Sequence, residues 1–442
     1  MSTPALEQYL DAFAKHNANQ KSPILESIQQ KGMDEFRTLG FPTRRMENWK
    51  YTDVKPVASQ SFNLEDKPVA DINDETIANF RFQELDCYEL VFINGHLRAD
   101  RSILPESGNI IICSLEEALE KYEDLIKEHL AHYAITEGNP FVSLNNAFVQ
   151  NGCLIHIADN AAIDKPVHLL YLSTASEKPL SCQLRNLVIM GNNSQASIIE
   201  NYCGIDESTY FNNTVTEVLL NNGANLEHYK LQQESVNSYH IGNLQVKQLG
   251  HSHLVSHSVS LGGALVRNDI HARLEQPGCS IHMNGLYLAG GKQHIDNHTR
   301  VDHLQSETES REIYRGVLDN SARGVFNGKV VVHKDAQKTN AEQSNANLLL
   351  SSQAEIDTKP ELEIYADDVK CAHGATVGQL DENMLFYLRS RAIDESVARS
   401  ILTYAFAGEV IGNIRLKPVR DKIARAVIGQ LPDADLIREF VI

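Results

Sequence analysis

A recurring unit of short, strand-like segments is the feature of this chain that most restricts its fold. Between residues 151 and 370, segments of alternating apolar and polar residues follow one another between small turn-forming clusters, and helical periodicity is lost. Similar turn-to-strand passages recur about every 28 residues, a spacing typical of solenoids and propellers. They begin at Gln195, Gly223, His251 and Gly278, and another begins about two periods later at Asp335.

The number of strands in each period favours a solenoid over a propeller. A propeller blade needs about four strands in forty or more residues, whereas each period here holds two or three and lacks Trp-Asp punctuation. In a β-helix no coil can bury its inner face alone, so stacked coils share one continuous core. The pattern therefore predicts a mainly β protein whose core, over residues 151–380, is a right-handed parallel β-helix.

Helical periodicity marks both flanks of the repeat. Residues 1–150 combine amphipathic helices with a hairpin pattern around Asn94 and Gly95, which predicts an N-terminal, partly helical domain. Residues 381–442 are interpreted as a C-terminal helical domain whose first helix is capped by Asp381. These helices hold too many apolar positions for a lone bundle, so we expect them to dock on the end of the solenoid, on a partner, or on both.

Composition narrows the class of partner and the compartment. The formal charge of −18 over 442 residues disfavours nucleic acid as a main partner, and no apolar run approaches membrane-spanning length. The N-terminus lacks the basic and apolar segments of a secretory signal. The seven cysteines are odd in number and scattered, without a CxxC pair, which suits reduced thiols. The sequence thus predicts a cytoplasmic protein with no membrane association.

Motifs for common catalytic chemistry are absent from the sequence. GVFNGKV resembles a phosphate loop, but Gly324 and Gly328 are too close together and Val330 stands where Ser or Thr is required. The sequence contains no HExxH, GxSxG or GxGxxG. We therefore do not expect the chain to hydrolyse ATP or to act as an enzyme.

Two groups of histidines form candidate polar faces within the repeat. In an extended strand, residues an even number apart point the same way. This places His251, His253 and His257 on one face, and His294, Asp296 and His298 on another. Imidazole and carboxylate can bind a metal. A hydrogen-bonded polar ladder along the solenoid is nevertheless the favoured interpretation for both groups.

Cys371 and His373 stand two residues apart in DDVKCAHGATVGQLDE, where the strand pattern gives way to a helical one. In a strand, both side chains would project together. That arrangement suits a shared metal, a Cys/His nucleophile pair, or packing alone. Thiolate with imidazole favours iron–sulfur, zinc or copper chemistry. Two ligands are too few for a stable site, so a metal here would need a partner to complete its coordination.

A long segment around this pair resembles a known family. The run ARGVFNGKVVVHKDAQKTNAEQ and its continuation, residues 322–393, resembles the core of the SufB/SufD family, the scaffold proteins of the SUF iron–sulfur cluster assembly system. GFPTRRMENWKYTDV, residues 40–54, resembles the signature of the SufD branch. Within it, Trp49 and Tyr51 are expected to anchor the N-terminal domain.

The resemblance implies partners and a role for the Cys/His pair. It implies a complex of SufB, SufD and two SufC ATPase subunits, in which the solenoid pairs with SufB and the C-terminal helices receive SufC. By motif matching, His373 corresponds to the family's proposed cluster ligand at the interface with SufB, and Cys371 to its neighbouring thiol. The cluster would be transient, with no stably bound cofactor in the isolated chain, which could also form a homodimer.

Two other functions stay open at the level of sequence. The chain could be a purely structural interaction platform in which Cys371 and His373 merely pack. It could also be a carbohydrate-active β-helix enzyme, although the sequence lacks an export signal and has one Trp for stacking on sugars.

Overall fold

The computed structural model describes residues 4–17, 22–64, 72–105 and 108–441, and two facing β-sheets form its centre. The strands are β1 (Tyr88–Ile93), β2 (His96–Leu97), β3 (Ile110–Ser114), β4 (Asn151–Ile157), β5 (Val167–Ser173), β6 (Ser181–Met190), β7 (Gln195–Gly204), β8 (Phe211–Leu220), β9 (Asn225–Gln233), β10 (Tyr239–Gln248), β11 (His253–Ser260), β12 (Leu265–Leu274), β13 (Ser280–Ala289), β14 (His294–His303), β15 (Glu309–Leu318), β16 (Arg323–Val332), β17 (Asn340–Leu349), β18 (Glu355–Ile364) and β19 (Lys370–Gly378).

Helices flank these strands in the described part of the chain. They are α1 (Pro4–Asn17), α2 (Pro23–Leu39), α3 (Lys55–Ala58), α4 (Asp74–Phe80), α5 (Leu115–Lys121), α6 (Glu123–His129), α7 (Pro140–Ala147), α8 (Glu382–Arg389), α9 (Glu395–Ile411), α10 (Lys417–Gly429) and α11 (Ala434–Val441). None of the helices in these ranges is both long and apolar enough to cross a membrane.

The strands alternate between the two sheets along the chain, which makes the core a β-solenoid. One sheet has ten strands in the order β19-β17-β15-β13-β11-β9-β7-β5-β1-β2, and the other has nine in the order β18-β16-β14-β12-β10-β8-β6-β4-β3. From β4 onward, the pairing within each sheet is parallel. Asn225 pairs with His253, and His253 with Ser280, so these turns take 28 and 27 residues. The prediction of a β-solenoid from the repeat is confirmed.

The first strands come from the N-terminal part of the chain. Phe92 pairs with Leu97 around the Asn94-Gly95 turn, which confirms the predicted hairpin. The same strand, β1, then pairs in parallel with β5. The antiparallel strand β3 covers the edge of β4. The N-terminal part is therefore joined to the solenoid by backbone hydrogen bonds at one end of each sheet. The last strands, β18 and β19, form the opposite ends.

Apart from α4, which packs on β1, β5 and β7, the N-terminal helices cover the outer face of the nine-stranded sheet. Trp49 is buried and packs on Phe141, with ring centroids 5.3 Å apart, in a cluster that includes residues of β8, β10 and β12. Its ring also lies 3.8 Å from the guanidinium carbon of Arg267 on β12. Thr52 donates a 2.5 Å hydrogen bond to Asp296 on β14. The segment around Trp49 is therefore an anchor for the N-terminal region.

The C-terminal helices cover the outer face of the ten-stranded sheet, not the solenoid end considered from the sequence. Val410 and Ile411 of α9 and Ile423 of α10 are buried in a cluster with apolar residues of β9, β11, β13, β15 and β17. The outer face of this sheet carries Leu and Val on successive strands, so it offers these helices a longer apolar surface than the end of a single coil does. Among the described residues, most of β19 at the end of the ten-stranded sheet stays exposed.

Candidate functional site

The last turn of the solenoid, β18 and β19, ends both sheets. Each of these strands has a parallel neighbour on one side only, β16 for β18 and β17 for β19. Most of β19 is exposed, and β18 is half-buried along nearly its whole length. We call this surface the open end. Its backbone groups and its inward-facing side chains lack the next coil that covers every earlier turn.

Cys371 lies in an inward-facing column of this ladder. It pairs with Ala341, which pairs with Ser310 and through it with Ile281 in the interior core. Because parallel strands stack in register, residues of one column point to the same side of the sheet. The half-buried thiol packs beside Ala341, Val330 and neighbouring apolar residues. Burial raises its pKa, so the group is a neutral thiol until a cation or a base is supplied.

His373 ends the neighbouring inward-facing column. It pairs with Gln343, Gln343 pairs with Glu312, and Glu312 pairs with Met283 in the interior core. Gln343 and Glu312 are buried, but His373 is exposed because no coil lies beyond it. The sequence-predicted pair therefore projects from the same face of β19 into the uncovered mouth of the solenoid. The imidazole makes no side-chain hydrogen bond within the described residues, so both of its nitrogens are available.

The first histidine group does not converge on a site. His251 sits in a turn with φ of 55°, which breaks the strand alternation assumed from the sequence. His253 is exposed and lies 2.6 Å from the hydroxyl of Ser280, while His257 is buried and stacks on Tyr229 at 5.0 Å. These contacts match the polar-ladder interpretation.

The second histidine group belongs to the anchor of the N-terminal region. Asp296 accepts hydrogen bonds from Arg267 and Thr52, and His298 lies 3.0 Å from its other oxygen. Burial opposes ionisation of Asp296, but His298 and Arg267 outweigh it and hold the pKa of the carboxyl below its usual range. Both hydrogen bonds go to Oδ2, and His298 is the ion-pair partner of Oδ1, so the carboxylate serves as part of the structural anchor.

The structure also brings together groups that the sequence analysis missed. Potential ligand atoms of Cys87, Glu89 and His168 lie within 4.8 Å of one another, near the opposite end of the ten-stranded sheet from β19. Arg81 and His168 already occupy the oxygens of Glu89, at 2.7 and 2.9 Å. Burial raises the pKa of Cys87 to about 12. Glu89 and His168 meet as register partners across 79 residues of sequence, a pairing that no local pattern signals.

Glu312 is a second group that the sequence analysis missed. Its carboxyl accepts hydrogen bonds from Thr299 at 2.6 Å and Gln343 at 3.2 Å, and no cation pairs with it among the described residues. Burial raises its pKa to about 7. Counting back two solenoid turns from His373 leads to the neighbourhood of Glu312 in the sequence. Because the turns differ in length, this count does not identify the exact residue.

A solenoid whose last turn is open, and displays a thiol and an imidazole beside unpaired strand edges, defines a class of β-solenoid proteins with a surface open to assembly. Two family models agree with that class. The model described as SUF system FeS cluster assembly, SufBD core domain, matches residues 171–406, and that of the SufBD protein N-terminal region matches residues 3–169. The chain belongs to the SufBD family of the SUF system of iron–sulfur cluster assembly.

Full-length relatives support the same placement. An iron–sulfur cluster assembly SufBD family protein of Synechocystis is 34% identical over 415 residues, which cover 91% of this chain and 90% of the relative. The iron–sulfur cluster assembly protein SufD of Escherichia coli is 28% identical, with 98% of each chain covered. SufD of Bacillus subtilis is 21% identical over 95% of this chain and 97% of the relative. The family expected from the sequence is confirmed, and the full-length relatives include proteins named SufD.

Proposed function

We propose that this chain is the non-catalytic scaffold subunit of a SufB–SufC–SufD complex, and that its open end pairs with the solenoid of SufB. The observation that carries this proposal is the last turn itself, where β18 and β19 offer unpaired edges and uncovered inward-facing residues. A second solenoid can continue both sheets and bury that surface. In the absence of SufB, a second copy of this chain is the partner with the same edge chemistry.

His373 and Cys371 act as ligands for iron or a nascent cluster held at this junction. Their side chains project from the same face of β19, and thiolate with imidazole is a donor set suited to iron–sulfur chemistry. Two donors leave coordination positions for SufB to fill. The cluster is cargo, built and passed on, and the raised pKa of Cys371 means that metal binding releases the thiol proton.

The C-terminal helices receive SufC and couple nucleotide turnover to the solenoid. On α8, Met384, Phe386 and Tyr387 are 56%, 75% and 54% exposed, an apolar surface that a partner would cover. The adjacent helix α9 is tied to β15 through Arg315 and Glu409. A movement imposed on α8 and α9 is therefore passed directly to the ladder that ends at His373. The complex works in the cytoplasm, where its thiols stay reduced.

Anaerobic co-expression with SufB and SufC tests the proposal. Iron and acid-labile sulfide per purified complex are compared for the native chain, His373→Ala and Cys371→Ser. We expect the complex to assemble while cluster content falls several-fold in His373→Ala, with a smaller fall in Cys371→Ser. His253→Ala, which removes another exposed strand histidine, is the matched control. Unchanged cluster content in His373→Ala would show that the chain is a purely structural platform.

A further inference from the structure

Gln343 carries an acceptor that no group satisfies. Its Nε2 donates to Glu312 on the preceding turn at 3.2 Å. Its Oε1 is buried and finds no hydrogen-bond partner among the described residues. A buried carbonyl without a hydrogen-bond partner is unfavourable and uncommon, so this oxygen calls for an explanation.

Two neighbouring residues, Glu312 and Gly328, set the orientation of the Gln343 amide. Glu312 accepts from the amide nitrogen and so directs that end of Gln343 back into the solenoid. Gly328, on the facing sheet, leaves the space that the amide fills, because a Cβ at that position would lie 2.0 Å from Nε2 of Gln343. With the nitrogen held on the Glu312 side, the oxygen is the end available to the following turn.

The following turn places His373 beside that oxygen. Gln343 and His373 are register partners on adjacent parallel strands, so their side chains leave the sheet on the same side, about 4.8 Å apart at the backbone. The His373 imidazole has a ring N–H to donate, and Gln343 has a carbonyl to accept it. Neither the His373 imidazole nor the Oε1 atom of Gln343 has a side-chain hydrogen-bond partner within the described residues.

We propose that the side-chain carbonyl of Gln343, oriented by Glu312, accepts a hydrogen bond from the imidazole of His373 and fixes that ring for metal ligation at the open end. Rotation about the two side-chain bonds of His373 closes the contact in the free chain. A ring whose one nitrogen is held by an acceptor presents the other, in a defined tautomer and direction, to a metal. Gln343 is thus a positioning residue, and Glu312 orients it. The role in metal ligation rests on the proposed function, whereas the hydrogen bond itself does not.

The hydrogen bond is tested in the isolated full-length chain by nitrogen NMR of labelled histidine. The His373 signals are assigned by their loss in His373→Ala. We expect one dominant tautomer in the native chain and a mixture closer to that of free histidine in Gln343→Met, which removes the acceptor at similar volume. Gln248→Met, which removes another fully buried glutamine of the solenoid, is the matched control. The same tautomer ratio in the native chain and in Gln343→Met would overturn the proposal.

The effect on ligation is measured in the complex with SufB and SufC, by the rate at which iron passes to a chelator. Loss of an outer partner of a metal-bound histidine typically weakens metal binding about 10–100-fold, so we expect at least about tenfold faster release in Gln343→Met and no change in Gln248→Met. If His373→Ala leaves cluster content intact, the proposed function fails, while the tautomer measurement still decides the hydrogen bond.

Discussion

Arg315 on β15 donates two hydrogen bonds to Glu409 on α9, at 2.9 and 2.8 Å, and this pair joins the solenoid to the C-terminal helices. The Arg315 side chain is 9% exposed and that of Glu409 is 53% exposed. Removing the carboxylate leaves a buried cation with weaker acceptors. We expect Glu409→Ala to lower the free energy of unfolding by about 1–2 kcal/mol in urea denaturation.

A matched control separates this effect from the loss of any surface charge. Glu395 pairs with Arg389 at 3.1 Å, but both side chains are more than half exposed. Such pairs contribute about 0–1 kcal/mol. Equal losses in Glu395→Ala and Glu409→Ala would contradict a special role for the Arg315 contact.

Trp49 is expected to hold the N-terminal region on the nine-stranded sheet. Its side chain is 3% exposed, and its ring stacks on Arg267. Truncation of a buried tryptophan costs about 3–5 kcal/mol, so Trp49→Ala should open this region. Hydrogen exchange should increase in α1, α2 and α7 while β9–β17 stay protected. Tyr51, which the sequence also predicted to be an anchor, is only half-buried, so Tyr51→Ala should leave exchange nearly unchanged. Uniform exchange across the chain in Trp49→Ala would argue against a local anchor.

Glu312 should make stability depend on pH in a defined direction. Burial raises its pKa to about 7, above that of an unfolded glutamate. The folded state therefore holds the proton more tightly than the unfolded state does. The resulting contribution to the free energy of unfolding is fully present below about pH 4 and is lost as the pH rises through 7. The loss is on the order of 3 kcal/mol. Glu312→Gln should gain stability relative to the native chain between pH 5 and 8, measured by urea denaturation.

The comparison uses a difference between variants because other groups titrate nearby. Burial lowers the pKa of His257 and of His303 to about 4, so their contribution is present above about pH 6.5 and is lost as the pH falls towards 4. These terms are common to both proteins. Glu309→Gln, at an exposed position on the same strand, controls for net charge. If Glu312→Gln and Glu309→Gln change with pH alike, the buried carboxyl is not responsible.

Phe386 should determine docking of SufC. It is the most exposed large apolar residue of α8, at 75%, and Phe386→Ser should reduce co-purification of SufC at least about tenfold, since buried aromatic anchors dominate interface energies. The thermal stability of the isolated chain should not fall. Val236→Ser, which removes another exposed apolar residue at 55%, is the control. Loss of SufB rather than SufC in Phe386→Ser would reassign α8 to the solenoid junction.

The fold could be predicted from the sequence because every turn of the solenoid repeats the same pattern of buried and exposed residues. Each coil alternates buried and outer residues between tight corners, so Gln195, Gly223, His251 and Gly278 mark successive turns at nearly constant spacing. The pair at Cys371 and His373 was accessible because two residues of one strand share a face without reference to any other segment. Local periodicity carries both of these inferences.

Contacts between distant segments were not accessible in the same way. Thr52 meets Asp296, and Arg315 meets Glu409, only because helices lie on the outer faces of the sheets. For the second histidine group the sequence favoured a polar ladder over a metal site, but it could not show that folding gives the Asp296 carboxylate to Arg267 and Thr52. Variation in turn length also hid the column from Glu312 to His373, which requires the register to be known residue by residue.

Whether the open end is covered depends on the ratio of this chain to the partner that pairs with it. An uncovered coil with two free strand edges is a hydrophobic, hydrogen-bonding template wherever no partner caps it. Under the proposed pairing with SufB, chains made in excess of that partner would pair with one another or misassemble, whereas matched synthesis would cover the template. Under the same proposal, the surface that permits assembly also exposes a surplus subunit to unwanted pairing, so the useful abundance of this protein would be set by that of its partner.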